Sequence, residues 1–189
     1  MAKKMDLVIV RENTEGFYAD RTMFAGTGEF MPTEDLAMSM RKITREGSRR
    51  IAISAFELAR TRRKKVTIVH KANVLKVTDG LFLSVAQQVA TDYPDVEVED
   101  VIVDAMAALL IRKPESFDVI VATNMFGDIL SDEAAELSGG LGLGGSLNAG
   151  AECAIAQAAH GSAPDISGQG IANPSALMIS AAMLMSWLA

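Results

Sequence analysis

Two aspartates four residues apart, Asp128 and Asp132, stand in the segment Asn124 to Gly142, NMFGDILSDEAAELSGGLG. On a helix, an i, i+4 spacing projects both carboxylates from one face. The preceding VIVAT, Val119 to Thr123, reads as a buried strand. Oxygen ligands on a helix that follows a strand suit a hard divalent cation. The ordinary alternative is a solvated acidic helix start, favoured by the helix dipole. On spacing alone that alternative prevails, because such pairs are common on helices.

Four further clusters carry residues of chemical use. In RENTEGFY, Arg11 to Tyr18, an arginine just after a strand suits bidentate carboxylate binding, and Tyr18 could donate a proton. In HKANVLKVTDG, Lys71 follows a buried strand, where neighbouring charges could tune it as a base. In VDAMAALL, Asp104 stands between strand and helix, as a cap or a third metal carboxylate. The fourth is HGSAPDISGQGIANP, His160 to Pro174, a loop that offers backbone groups to a cofactor before a helix. It does not match GxGxxG, so a Rossmann fingerprint is absent. Each cluster alone has a bland reading: a core tyrosine, a surface lysine, a helix cap, a turn.

The elements that must position these residues alternate as in an α/β protein. Strands are predicted at 7–10, 66–70, 98–103 and 118–122, and helices at 44–60, 79–91, 105–112, 126–138 and 174–188. Residues 19–40 are less regular and read as an excursion or arm; residues 139–150 read as a flexible glycine-rich loop. The first strand begins almost at the first residue, and the last helix, ALMISAAMLMSWLA, ends without a cap. Both suggest a piece of a longer enzyme.

Composition narrows the function classes. The 189 residues carry a formal charge of -6 at pH 7, which argues against a general nucleic-acid binder. The basic run RTRRKK, Arg60 to Lys65, falls at a predicted helix end, where cations complement the dipole. A single cysteine, Cys153, precludes an intrachain disulfide, and with two histidines a His-rich metal site is not expected. The apolar run in MAKKMDLVIV is too short for a signal core or a membrane span. A soluble protein of the cytoplasm, or of the mitochondrial matrix in a eukaryote, is expected, with no membrane partner.

Together these segments resemble the β-hydroxyacid oxidative decarboxylases, the isocitrate/isopropylmalate dehydrogenase family, which includes isocitrate, homoisocitrate, 3-isopropylmalate and tartrate/D-malate dehydrogenases. RENTEGFY, VHKANVLKVTDG, VDAMA, NMFGDILSDEAAELSGGLG and HGSAPDISGQGIANP follow that family's order and spacing from about Asp6 onward. The resemblance implies an α/β fold: a sheet with flanking helices forming the smaller, dimer-forming domain, plus part of the cofactor domain. Residues 1–150 would be mainly the dimerisation and metal/substrate domain, and 151–189 the partial cofactor domain. The excursion at 19–40 would be the arm that interlocks two subunits.

By position, the resemblance implies that Arg11 binds substrate carboxylate and Asn73 lies beside the substrate. Lys71 would take part in removing the hydroxyl proton, and Tyr18 would protonate the carbanion carbon after decarboxylation. Asp104, Asp128 and Asp132 would hold Mg²⁺ or Mn²⁺, with Lys71 and Asp104 serving the partner's site in a homodimer. His160, Gly161, Ser162, Ala163, Asp165 and Asn173 would line the adenosine end of the cofactor. A carboxylate at Asp165 accepts ribose hydroxyls and repels a 2′-phosphate, which points to NAD. Thr14 stands where isopropylmalate enzymes carry a leucine, so a polar or small substituent is expected on the hydroxy acid. The alternative is a truncated or non-catalytic subunit that dimerises and binds metal without turnover. A regulatory subunit is disfavoured because Tyr18, Lys71 and all three aspartates are present.

Overall fold

The computed structural model describes residues 5–18 and 23–189. The chain forms two compact units, Met1–Ser131 and Asp132–Ala189. In the first, β1 (Val8–Arg11), β4 (Lys65–His70), β5 (Glu97–Ile102) and β6 (Val119–Ala122) form a parallel sheet in the order β1-β6-β4-β5. Strand β6 is VIVA and buried at every position; β4, KVTIVH, is buried over its last five. Burial at consecutive positions marks parallel strands covered on both faces.

Alternation along these strands builds a core on each face. Val66, Ile68, Val119 and Val121 pack with Ala52, Ala55 and Phe56 of α1 (Arg45–Arg60) and with Phe82 and Ala86 of α2 (Thr78–Ala90). Val69, Ile120 and Ala122 face the other way, onto Met106 and Leu110 of α3 (Val103–Arg112) and onto Phe126 and Leu130 of α4 (Asn124–Leu137). Helix α4 begins in the first unit and ends in the second.

Thr44 caps α1 by accepting the Gly47 N–H at 3.0 Å, so the helix opens one residue later than expected from the sequence. The basic run after α1 is structural, in keeping with its bland reading. Arg62 Nε and the Arg63 N–H bond to Asp118, which is 1% exposed, at 2.9 and 2.8 Å. Arg60 holds Asp95. These bonds tie the end of α1 to the segments that lead into β5 and β6.

Three expectations need correction. Strand β5 stops at Ile102 and α3 starts at Val103, so Asp104 lies in the first helical turn rather than at the cap, and no side-chain cap bond forms there. The described part of the excursion holds an antiparallel hairpin, β2 (Glu29–Thr33) and β3 (Leu36–Ser39), exposed at every residue; residues 19–22 lie outside the described residues. The glycine-rich stretch 139–150 contains β7 (Gly145–Ala149), which pairs antiparallel with β8 (Ala154–Ala158).

That hairpin and α5 (Ser175–Leu188) build the second unit. The Ser180 hydroxyl, fully buried, accepts the Ser146 N–H at 2.9 Å and lies 2.8 Å from the Gln157 carbonyl. Among the described residues no helix is long and apolar enough to cross a membrane.

Candidate active site

The carboxyl ends of the four parallel strands form one edge, the place where open α/β sheets bind ligands. Arg11 ends β1, Lys71 follows β4, α3 with Asp104 follows β5, and Asn124 with Asp128 follows β6. Two side-chain clusters form along that edge.

The first cluster centres on Arg11. Its Nε and Nη2 donate to Asn124 Oδ1 at 2.9 and 2.6 Å, and its Nη1 donates to Asp128 Oδ1. The Tyr18 hydroxyl donates to Asp128 Oδ2 at 3.0 Å. The Arg11 guanidinium carbon also lies 5.8 Å from the centroid of the Tyr18 ring, a cation–π distance. Asp128 therefore turns one oxygen to a cation and the other to a proton donor. Gly127 permits this approach: a Cβ there would stand 2.7 Å from Arg11 Cγ and 2.8 Å from its Cβ.

The loop that carries Tyr18 is braced by its own acids. Glu12, nearly buried, accepts the Thr14 and Glu15 N–H groups at 3.0 and 2.8 Å. It also takes the Thr14 hydroxyl at 2.5 Å and Arg50 Nη2 at 3.2 Å. Glu15 accepts the Thr44 N–H at 2.8 Å and the Thr44 hydroxyl, so it sits at the N-terminus of α1. Its carboxylate presses so close that a Cβ on Gly47 would lie 2.9 Å away. A carboxylate there is favoured by the helix dipole.

The second cluster pairs Lys71 Nζ with Asp104 Oδ1. That hydrogen bond, joined by backbone donation, holds the Asp104 carboxyl below its ordinary range. The turn after β4 is folded back on itself, with the Leu75 N–H donating to Lys71 O at 2.8 Å. His70 accepts the Ala72 N–H at Nδ1, 3.0 Å, so its Nε2–H faces Asp100 at 3.1 Å. Asn73 is exposed on this turn. Strand β4, which leads to Lys71, lies beside β6, which leads to Asp128, and β5, which leads to Asp104, lies two spacings from β6, roughly 10 Å at the usual interstrand distance. Hydrogen bonds join Arg11, Tyr18 and Asp128 in one cluster and Lys71 with Asp104 in another.

The donor set suits a hard cation, being carboxylate oxygens alone. Asp132 stands one turn beyond Asp128 on α4, exposed where Asp128 is partly covered. Among the described residues, however, no three His, Cys, Asp or Glu side chains converge within the chain. An open cavity of about 740 Å³ beside Tyr18 and Met125 holds Glu29 and, among the described residues, no cation in its lining.

In the second unit, the loop with His160, Gly161, Ser162, Ala163, Asp165 and Asn173 is exposed throughout these residues. Ala163 has φ +42°, a left-handed conformation rare for a residue with a Cβ, and it opens a single 3₁₀ turn, Pro164–Ile166. The Asn173 side chain accepts the Ser175 N–H at 3.0 Å, at the start of α5. His160 Nδ1 lies 2.9 Å from Gly161 O, so Nδ1 carries the proton.

Sequence reasoning passed over Asn124, Glu12 and Glu15. Asn124 precedes Asp128 by four residues, as Asp128 precedes Asp132, and the same periodicity marks all three.

A model of the isocitrate/isopropylmalate dehydrogenase family matches residues 1–189. The homoisocitrate dehydrogenase of Methanocaldococcus jannaschii is 52% identical over 188 residues, covering 99% of this chain and 52% of that protein. The isocitrate/homoisocitrate dehydrogenase of Thermus thermophilus is 50% identical over 185 residues, with 97% and 53% covered. Among solved structures, isocitrate dehydrogenase from Methylococcus capsulatus superposes with a TM-score of 0.88 at 50% identity, over 96% of this chain and 53% of that one. The chain spans about half the length of the curated relatives it matches. Five matched motifs, the parallel sheet and the family-wide match agree: this chain belongs to the isocitrate/isopropylmalate dehydrogenase family.

Proposed function

We propose that the chain serves NAD-dependent, divalent-metal-dependent oxidative decarboxylation of a 2-hydroxy acid with a β-carboxylate, such as isocitrate, homoisocitrate or tartrate/D-malate. The observation that carries this reading is the convergence of Arg11, Tyr18 and Asp128 on the carboxyl edge of the sheet. Arg11 would release Asp128 and turn its fork to a substrate carboxylate, a planar match that lysine lacks. Tyr18 would return a proton to carbon from its hydroxyl.

Asp128 and Asp132, with Asp104 of a second copy, would hold Mg²⁺ or Mn²⁺. Bound there, the cation would ease deprotonation of the substrate hydroxyl and stabilise the charge that develops as CO₂ leaves. Among the described residues no three carboxylates converge within one chain, which supports a homodimer with shared sites, in which Lys71 would take up the hydroxyl proton beside the partner's Arg11. Residues 1–150 would then supply the dimer, metal and substrate functions, and 151–189 part of the cofactor domain.

The exposed Asp165 supports NAD over NADP, because a carboxylate would meet a 2′-phosphate with repulsion. Thr14 offers no bulky apolar group to an isopropyl substituent, and its hydroxyl is already engaged by Glu12. That favours isocitrate, homoisocitrate or the smaller acids.

The test is turnover with NAD and Mn²⁺, for this chain and any longer product of its reading frame. The substrates are isocitrate, homoisocitrate, 3-isopropylmalate, D-malate and tartrate. NAD reduction with one of the first two or last two is expected. No reduction with any acid by either protein overturns the function, and equal turnover with NADP overturns the cofactor assignment.

A further inference from the structure

Asp79 is fully buried in the first turn of α2, eight residues after Lys71. A carboxylate in a first helical turn is ordinarily placed for the dipole or for the helix's own N–H groups. Here its hydrogen bonds run elsewhere. Oδ2 accepts the backbone N–H of Lys71 at 2.6 Å, and Oδ1 accepts Nη1 of Arg41, whose side chain is 6% exposed.

The same guanidinium reaches three other parts of the carboxyl edge. Its Nη1 lies 3.1 Å from Thr78 Oγ1, and its Nη2 donates to Thr123 Oγ1 at 2.8 Å, one residue before Asn124. Its carbon lies 5.2 Å from the Phe126 ring centroid and 5.8 Å from that of Phe17, the neighbour of Tyr18. Next in sequence, Lys42 makes a two-bond bridge with Gly16. One buried cation therefore touches the Lys71 turn, the start of α4 and the segment bearing Tyr18.

A buried ion pair is poor support for a purely stabilising role, since well-packed apolar residues of similar volume often do as well. Apolar residues could not accept the Lys71 N–H or donate to Thr123. Arg41 Nε, moreover, is buried with no hydrogen-bond partner among the described residues, a cost the geometry tolerates in holding the guanidinium at this junction.

We propose that the Arg41–Asp79 pair positions Lys71: Asp79 fixes the backbone from which the lysine projects, and Arg41 fixes Asp79 relative to the Asp128 helix. The proposal rests on the reading of Lys71 as the group that takes up the substrate's hydroxyl proton. Neither Arg41 nor Asp79 touches substrate in this scheme; both are positioning residues, and support of this kind separates a poised site from a loose one.

The experiment compares Asp79→Ala with Asp79→Asn, which keeps an oxygen that can face the Lys71 N–H. Both are measured in the active dehydrogenase by steady-state kinetics and by amide hydrogen exchange across residues 71–75. Asp79→Ala is expected to lower kcat at least tenfold, to leave the hydroxy-acid KM within threefold, and to speed exchange at 71–75 at least tenfold. Asp79→Asn is expected to recover most of both losses. An Asp79→Ala kcat within twofold of the parent, unaltered exchange at 71–75, or equal losses in the two variants would overturn the proposal. If Asp79→Ala does not fold, Arg41→Met is read instead: a threefold or greater fall in kcat is expected, and an unchanged kcat overturns it. A parent that oxidises no hydroxy acid sinks the proposed function; the exchange measurement then decides the hold on the Lys71 turn by itself.

Discussion

The side-chain oxygen of Asn124 accepts two N–H groups of Arg11, from Nε and Nη2, at 2.9 and 2.6 Å. One amide thereby sets the plane of the guanidinium, and only Nη1 is left to face Asp128. Asn124 is itself held, since its Nδ2 donates to Glu15 O at 3.0 Å and the residue is 2% exposed. The chain of contacts runs from the α1 N-terminus through Glu15 and Asn124 to the arginine.

Asn124→Ala should therefore free Arg11 and leave the Glu15 carbonyl without its donor. Losing buried hydrogen bonds of this kind costs about 1–3 kcal/mol. Urea unfolding should show that loss, and the hydroxy-acid KM should rise at least fivefold while the KM for NAD stays put. A stable variant with normal KM would mean that Asn124 does not orient Arg11.

Gly127→Ala asks the same question by steric means. The added methyl would stand 2.7 Å from Arg11 Cγ and 3.3 Å from its Cα, and the backbone cannot yield as a flexible side-chain tip can. Overpacking of this size costs about 1–3 kcal/mol. Thermal unfolding should fall by several degrees and substrate binding should weaken with it. An unchanged Tm would show that β1 and α4 are less tightly seated than their geometry requires.

How much of this was legible in the sequence differs by element. Strands β4 and β6 read clearly because both are buried on two faces and carry unbroken β-branched runs, Val66 to Val69 in β4 and Val119 to Val121 in β6. Strands β7 and β8, GSLNA and AIAQA, did not, because small residues without a β-branched run leave little trace when pairing supplies the order. Asp128 and Tyr18 were legible by type and spacing, and they meet in space. Glu12, Glu15 and Asp79 were not: each acts through a backbone N–H or hydroxyl of another segment, and such partners exist only after folding. Arg41 followed the irregular excursion, where nothing in the local pattern marks a cation for burial.

The Lys71–Asp104 pair gives a pH signature. Lys71 holds the Asp104 carboxyl below its ordinary value, and the carboxylate is well exposed. A depressed carboxyl contributes its share of stability fully above the unfolded value and loses it as pH falls through the folded one. The pairing should therefore persist to a lower pH than an unperturbed aspartate would allow. Lys71→Met should raise the Asp104 pKa toward 3.8, the ordinary value, in a carboxyl-resolved NMR titration. No upward movement would show that the ammonium is not what holds it down.

Asp128→Asn separates the proposed cation-binding role of this carboxylate from its structural one. Arg11 and Asp128 are partly exposed, 28% and 42% at their side chains, so their ion pair contributes only about 0–1 kcal/mol. Asparagine keeps the shape and an oxygen for Tyr18 or Arg11 but loses the charge on which a hard cation depends. The fold should survive with Tm within a few degrees of the parent, while Mn²⁺-dependent turnover falls by at least 100-fold and added Mn²⁺ does not restore it. Asp132→Asn should behave alike, as the neighbouring carboxylate one turn along α4. Near-normal turnover in either variant would remove that aspartate from the cation's ligands. A fall in turnover that tracks a collapse in Tm would instead make the carboxylate a brace for Arg11.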